Sequence, residues 1–485
     1  MSRRIRFSEH DLEIFSAASG DVNPLHLSPG YASRTVYGQR VVFGALGAAA
    51  CLGHVAIPAG FRVVHMAAGF HRPMFLDVDY QVQLASTEGR VEVRLLDGSV
   101  HVLSLTLAWQ PGDPPQAGPG AAPPTNGLFK CPEPALYQES DLQPGLRAAG
   151  PYCPSVPALE ELCARWQITA SRFLVEVLLW ASYTVGMEIP GKQALFSKLA
   201  LNFTGEPHDV TAVDYESTVR TVDRRTGQVR LDAALLVDGR PVVSGECWSF
   251  IRPSLAVSSV PDDFPVSTAL SGKVALVIGA SRGLGSAIAR ALAAQGATVE
   301  GTSRSGESDS PDIRIHPGDA ADAHALQELR DSIAATHGRL DFLVCNAFPP
   351  ILPLRLEPNA LPRIAGYIER AVSMVLTPVC FLLELLNQSG GVVVVISSTV
   401  VESPVREWPH YAAAKKAIEA LAEVAPLQYP NLAALIVRPQ KLLTEMTNTP
   451  IGRRNAARPE VMATRIVSRL ANPPAAGQVE IVDMR

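Results

Sequence analysis

The sequence predicts two architectures in one chain. The first is an α+β region built twice over, each copy a buried helix followed by an antiparallel meander. The second is an α/β region with a doubly wound parallel sheet. Three observations predict this. Two blocks repeat the same order of one apolar helix and four alternating segments. A glycine turn between an apolar run and an Ala-rich helix opens the last block. Two stretches poor in periodic apolar pattern, Pro111–Asn126 (PGDPPQAGPGAAPPTN) and Arg252–Gly272, separate the blocks.

A chain of 485 residues is too long for one ordinary domain. Its 47% hydrophobic and 18% charged residues describe a globular protein with ample core. A net charge of -5 excludes the basic footprint of a nucleic-acid binder. The seven cysteines (Cys51, Cys131, Cys153, Cys163, Cys247, Cys345 and Cys380) lack the paired spacing of a zinc site or a disulfide framework, so no metal is expected. Met1–Arg6 is basic, but no apolar core of a signal peptide follows it, and no uninterrupted apolar run approaches membrane-spanning length. A cytoplasmic protein without a membrane partner is the expectation.

The blocks are expected at residues 1–110, 127–252 and 272–485. In the first, GALGAAACLGHVAIPAG (Gly44–Gly60) precedes FRVVHMAAGF, VDYQVQLAST, RVEVRLLDG and SVHVLSLTLAW. In the second, EVLLWASYTVGMEIPGK (Glu176–Lys192) precedes ALFSKLALNF, TAVDYESTVRTV, QVRLDAALLVDG and RPVVSGECWSF. Ile57-Pro58 and Ile189-Pro190 fall at the same point. A helix apolar nearly all round must be buried, and a sheet wrapping it is the hot-dog arrangement. Two in tandem predict a double hot-dog.

Ahead of the first helix lies SGDVNPLHLSPGYA (Ser19–Ala32). Asp21 and His26 are five residues apart, a spacing that does not place them on one helical face. Asn-Pro breaks a helix and starts a turn, so the pair flanks a loop. On spacing alone this describes a solvated turn. The segments FSEHDLEIF (Phe7–Phe15), GDVNPLH, YASRTVYGQRVVFGAL and GFHRPMFLDVDY, however, together resemble the MaoC-like (R)-specific enoyl-thioester hydratase/dehydratase family. The resemblance covers the first block and implies that Asp21 and His26 carry the chemistry, with Asn23 and Pro24 shaping the loop. Removing water from a 3-hydroxyacyl thioester needs a base for the C2 proton and an acid for the hydroxyl. The amide of Gly44, at the helix N-terminus, is the candidate donor to the thioester oxygen. Phe43 departs from the family, which has a His there. The second block has no Asp or His before its helix (PYCPSVPALEELCARWQ), so it is expected to serve as wall rather than as a second site.

From Lys273 the pattern becomes strand, turn and helix: VALVIGASRGLGSAIARALAAQGATVEGTSRS. Its glycines suit a backbone that approaches a pyrophosphate at a helix N-terminus. LDFLVCNAF ends in Asn346-Ala347, GGVVVVISS ends in serines, and YAAAKKA places Lys415 four residues after Tyr411 on one helical face. Ser398 lies thirteen residues ahead of Tyr411. This set resembles the short-chain dehydrogenase/reductase family, with its Rossmann-type sheet. The resemblance implies that Tyr411 donates a proton to a ketone, Lys415 lowers the tyrosine pKa and holds the ribose, and Ser398 binds the substrate oxygen. It also implies cofactor contacts from Gly279, Ser281, Arg282, Gly283, Leu284, Gly285, Ser303, Asp319, Asn346, Ala347 and Thr444. Thr302-Ser303-Arg304 offers no carboxylate for a ribose 2′-hydroxyl, whereas Arg304 and Arg282 suit a 2′-phosphate, so NADPH is expected. The departures are Ile278 before the first glycine, no Asn around Ser373–Val375, Pro439-Gln440 in place of Pro-Gly, and CNAFPP in place of small residues after the Asn.

Together the blocks imply reduction of a 3-oxoacyl thioester, carried by an acyl carrier protein or coenzyme A, followed by dehydration to the 2-enoyl thioester in fatty-acid or polyketide assembly. Arg453, Arg454 and Arg458 describe either a docking patch for an acidic carrier or a solvated basic turn. The alternatives are an oxidative coenzyme-A hydratase joined to an NAD-dependent dehydrogenase, and a lone reductase beside a non-catalytic acyl-binding module. A homodimer or higher oligomer is expected from the reductase resemblance.

Overall fold

The computed structural model describes residues 3–112, 116–117, 126–138, 140–207, 212–252, 264–304, 306, 313–449 and 452–484. Most of the Pro111–Asn126 stretch, and residues 253–263 of the second joint, lie outside that set. The chain forms two compact units, residues 1–254 and residues 255–448 with 452–485.

The first unit opens with β1 (Arg4–Arg6), α1 (Glu9–Ser19), α2 (Pro24–Leu27), α3 (Pro29–Ser33) and α4 (Gly44–Leu52). There follow β2 (Phe61–Phe70), β3 (Asp79–Thr87), β4 (Arg90–Asp97), β5 (Val100–Pro111) and the two-residue β6 (Gln116–Ala117). The second half runs β7 (Arg147–Tyr152), α5 (Val156–Arg165), α6 (Arg172–Tyr183), β8 (Ala194–Phe203), the two-residue β9 (Glu206–Pro207), β10 (Val213–Asp223), β11 (Gln228–Val237) and β12 (Arg240–Ile251).

Ten strands form one sheet in the order β1-β3-β4-β5-β2-β8-β12-β11-β10-β7. Its halves join at the antiparallel pairing of β2 with β8, from His65 opposite Asn202 to Gly69 opposite Lys198. The strands alternate as their sequences do. In β11, Val229, Leu231, Ala233, Leu235 and Val237 are buried and the residues between them are less so. The buried face holds α4 and α6. Eight of the nine residues of α4 are buried, and its small side chains permit close packing: a Cβ on Gly47 would fall 2.3 Å from Met74 Cε. Every residue of α6 from Phe173 to Tyr183 is buried, and the helix runs on into a single π turn, Thr184–Glu188.

The second unit contains β13 (Val274–Ile278), α7 (Gly283–Ala294), β14 (Thr298–Ser303), β15 (Arg314–Pro317), α8 (Ala323–His337), β16 (Phe342–Cys345), α9 (Leu361–Gln388), β17 (Val392–Ile396), α10 (Pro409–Gln428), β18 (Ala433–Pro439), α11 (Pro459–Leu470) and β19 (Val479–Met484). Its seven strands run parallel in the order β15-β14-β13-β16-β17-β18-β19. The inner strands are continuous apolar runs because both faces of the sheet are covered. One helix, Pro358–Gln388, is long and apolar enough, by composition, to cross a membrane. Its apolar residues Ala371, Met374, Val375, Val379, Leu382 and Leu386 are instead buried within the core. The helix is not an unbroken apolar run: Arg363, Glu369, Arg370 and Glu384 interrupt it.

Candidate active sites

In the first unit the segment after α1 is held from several sides. Gly20 ends the helix at φ 73, a conformation that suits glycine, and donates its amide to Ser16 O at 2.8 Å. Ser16 Oγ donates to the Asp21 carbonyl at 2.9 Å. The Asn-Pro step does not open a loop, as the sequence suggested. It starts a short helix, with Asn23 as N-cap accepting from the Leu25 amide at 3.1 Å and Pro24 in the first turn, a position that needs no amide hydrogen. His26 stands on that helix. Asn23 also reaches the second half of the unit, donating to the carbonyls of Gly186, Gly191 and Lys192 at 3.1, 3.3 and 3.4 Å.

Asp21, His26 and Gly44 line one cavity of about 230 Å³, together with Phe70, Ser182 and Phe196. Asp21 is 2% exposed; its Oδ1 accepts from the Asn23 amide at 3.1 Å and its Oδ2 from Ser182 Oγ at 2.8 Å. Burial pushes the carboxyl up to about 7, against those two hydrogen bonds. His26 Nδ1 lies 2.6 Å from the Val41 carbonyl, so Nδ1 carries the hydrogen and Nε2 keeps its lone pair. Burial pushes His26 down to about 4; the Val41 carbonyl works the other way and the Arg252 charge adds to the fall. The imidazole is therefore neutral at pH 7, beside a carboxyl near half protonation. Phe43 stacks on the His26 ring at 3.9 Å and 26°, which fixes the ring plane. Gly44 is the first residue of α4, where amides have no acceptor within the helix.

Two residues that sequence reasoning missed come from the second half. Ser182 is the one serine on an apolar helix, and that was the available signal. Gly186 sits in the π turn, where a Cβ would fall 2.4 Å from Asp21 Oδ2. The second half thus completes the carboxyl's surroundings as well as walling the cavity.

In the second unit, Gly279 (φ 82) and Gly283 (φ 56) turn the chain from β13 into α7. A Cβ on Gly279 would lie 2.9 Å from Ala347 Cβ, and one on Gly285 would lie 2.0 Å from the Gly279 carbonyl. Asn346 Nδ2 donates to that carbonyl at 3.0 Å, bracing the turn. Above Gly283 there is room: its nearest neighbour would be Thr444 Cγ2 at 3.6 Å. Ser281, Arg282 and Leu284 complete the turn, and Arg282 Nε lies 3.8 Å from Glu445. The α7 N-terminus and this glycine cradle fit the pyrophosphate of a dinucleotide. Ser303 is buried at the end of β14, and Arg304 beyond it is exposed. Asp319 is engaged by Arg370 and by the Ala321 amide at 2.9 Å, with Arg304 near enough to act on its charge. Of the three arginines suggested for a carrier, Arg453 donates to Asn448 at 2.7 Å and Arg458 to Glu460 at 3.3 Å.

Tyr411 is on the first turn of α10, hydrogen-bonded to Ser398, which lies two residues beyond β17 and caps the short turn Thr399–Val401. Burial pushes Tyr411 up to about 12 against that bond. Lys415, which the resemblance pairs with this tyrosine, stands one helical turn further along α10. Lys415 Nζ donates to the Ile396 carbonyl at 2.7 Å and lies over the Phe348 ring, 3.5 Å from its centroid. Its own pKa is pushed down by burial to about 7, against the Glu419 charge.

Residues 1–102 match the MaoC like domain family and residues 273–455 match the short chain dehydrogenase family. The chain joins a MaoC-like domain to a short chain dehydrogenase domain. It is similar to the 3-oxoacyl-[acyl-carrier-protein] reductase FabG of Escherichia coli, 42% identical over 84 residues, 16% of this chain and 34% of that protein. It is also similar to a fatty acyl-CoA reductase of Acinetobacter baylyi, 30% identical over 171 residues, 32% of this chain and 56% of that protein. A D-threitol dehydrogenase of Mycolicibacterium smegmatis is 42% identical over 88 residues, 16% of this chain and 34% of that protein. The chain therefore spans between 34% and 56% of the length of these relatives.

Proposed function

We propose that the chain is a bifunctional enzyme that reduces a 3-oxoacyl thioester with NADPH and dehydrates the product to the 2-enoyl thioester. The observation that carries the second step is the pair of neutralised groups in one cavity: Asp21 near 7 and His26 near 4. His26 Nε2 takes the C2 proton, the Asp21 carboxyl gives its proton to the departing hydroxyl, and water leaves as the C2–C3 double bond forms. The Gly44 amide, at the positive end of α4, stabilises the charge that develops on the thioester oxygen. We read the ten-stranded sheet as two hot-dog repeats, of which only the first holds this machinery.

For the reduction, bound NADPH supplies the hydride. Ser398 orients the ketone oxygen and Tyr411 gives it a proton, while Arg304 and Arg282 favour a 2′-phosphate. The product of this step is the substrate of the other, which is what one chain carrying both domains suggests, in fatty-acid or polyketide assembly on a carrier protein. The test is to incubate the protein with 3-oxoacyl thioesters on carrier protein or coenzyme A, with NADPH or NADH, and to follow products by mass spectrometry. Tyr411→Phe should give no hydroxyacyl product, and Asp21→Asn should accumulate hydroxyacyl without enoyl product. Dehydration unchanged in Asp21→Asn and in His26→Ala, or a higher catalytic efficiency with NADH than with NADPH, would overturn the corresponding part of the reading.

A further inference from the structure

Phe348 follows Asn346-Ala347 beyond the end of β16. Its ring stands inside the cluster formed by Tyr411 and Lys415. It meets Tyr411 edge-on at 5.6 Å and Tyr367 at 6.3 Å, and its face covers Lys415 Nζ at 3.5 Å. An ammonium has three hydrogens to donate. One goes to the Ile396 carbonyl at 2.7 Å, and the phenyl face lies against the group itself. Lys415 is 3% exposed, so the ring and that carbonyl close it off from any ligand hydroxyl. Pro349 and Pro350 come next and fix the backbone. What can adjust here is the ring, about its two side-chain torsions.

We propose that Phe348 gates the nucleotide side of the reductase centre: its ring covers Lys415, and a nicotinamide nucleotide engages that lysine only once the ring has turned away. The inference rests on the reductase reading above. A cation–π contact in a desolvated site is strong enough to reduce the binding-competent fraction, and with it the apparent affinity, about tenfold. Because the gate acts at the lysine and not at Arg304, it affects NADPH and NADH alike.

The test is nucleotide binding by the full chain, read from nicotinamide fluorescence on titration with NADPH and with NADH. Phe348→Ala should bind both about tenfold more tightly than the parent. Phe348→Leu, which keeps bulk but loses the aromatic face, should gain less, and it carries the test if the alanine variant fails to fold by circular dichroism. The gain should vanish in a Lys415→Met background, a result that a merely structural role would not produce. Equal or weaker binding by the Phe348 variants, in a parent that binds measurably, overturns the gate and leaves the reductase reading standing. A gain that persists in the Lys415→Met background also overturns it. No binding of either nucleotide by the parent or any variant removes the reductase reading and the gate with it.

Discussion

In the first unit, burial leaves both candidate catalytic groups in the protonation states that elimination needs: a carboxyl near 7 and an imidazole near 4. In the second, burial acts as strongly and has the opposite consequence. Tyr411 rises to about 12, and Lys415 falls to about 7 under a phenyl ring. The difference lies in who supplies the partners. Asp21 and His26 answer to groups of the chain itself: Ser182, the Asn23 amide and the Val41 carbonyl. Tyr411 and Lys415 belong to a centre that, by our reading, shares its chemistry with a nucleotide. On that reading, desolvation prepares a site whose partners lie within the chain and holds back one whose partner is a nucleotide.

The comparison breaks most visibly if the centres prove inseparable. His26→Ala should cut dehydration by about 10²–10⁴-fold while NADPH consumption on a 3-oxoacyl thioester continues, followed by enoyl product and by absorbance. Gly186→Ala should come close to the same loss. The new methyl lies 2.4 Å from Asp21 Oδ2 and displaces the carboxyl, so dehydratase assays should collapse while NADPH consumption holds. The pH profile sharpens the comparison further. Dehydration needs protonated Asp21 and neutral His26, so its rate should plateau between about 4 and 7 and fall on either side. Ser182→Ala removes a bond that favours the carboxylate, so the alkaline limb should move upward, read as a shift of that limb in the rate profile. The smallest effect concerns stability. The folded pKa of Asp21 is raised, so its contribution declines as pH climbs from the unfolded value of 3.8 to about 7 and stays low above it. Asp21→Asn carries no such penalty, and its melting temperature at pH 8 should exceed that of the parent.

Much of this arrangement was legible in the sequence. FRVVHMAAGF and ALFSKLALNF match β2 and β8 end to end, with alternate burial at Met66 and Ala68 in one and at Leu199, Leu201 and Phe203 in the other. The resemblance singles out Asp21 and His26, and the helix start singles out Gly44; the structure brings the three to one cavity. What the pattern hid was of two kinds. Val41 acts through a backbone carbonyl, which any residue supplies, so no letter marks it. Ser182 and Gly186 lie 161 and 165 positions beyond Asp21 and approach it only because the sheet closes around both helices. Phe348 was conspicuous as a departure, but its contact with Lys415 depends on a rotamer.

The seam between β2 and β8 has a consequence for dilution. Asn23 of one half is bonded to carbonyls of the other, and Ser182 of that half holds Asp21. Were the halves separate chains, this centre would assemble and dissolve with protein concentration. Joined in one chain, they meet at an effective concentration set by the tether. Dehydration should then keep the same turnover per molecule however few molecules are present.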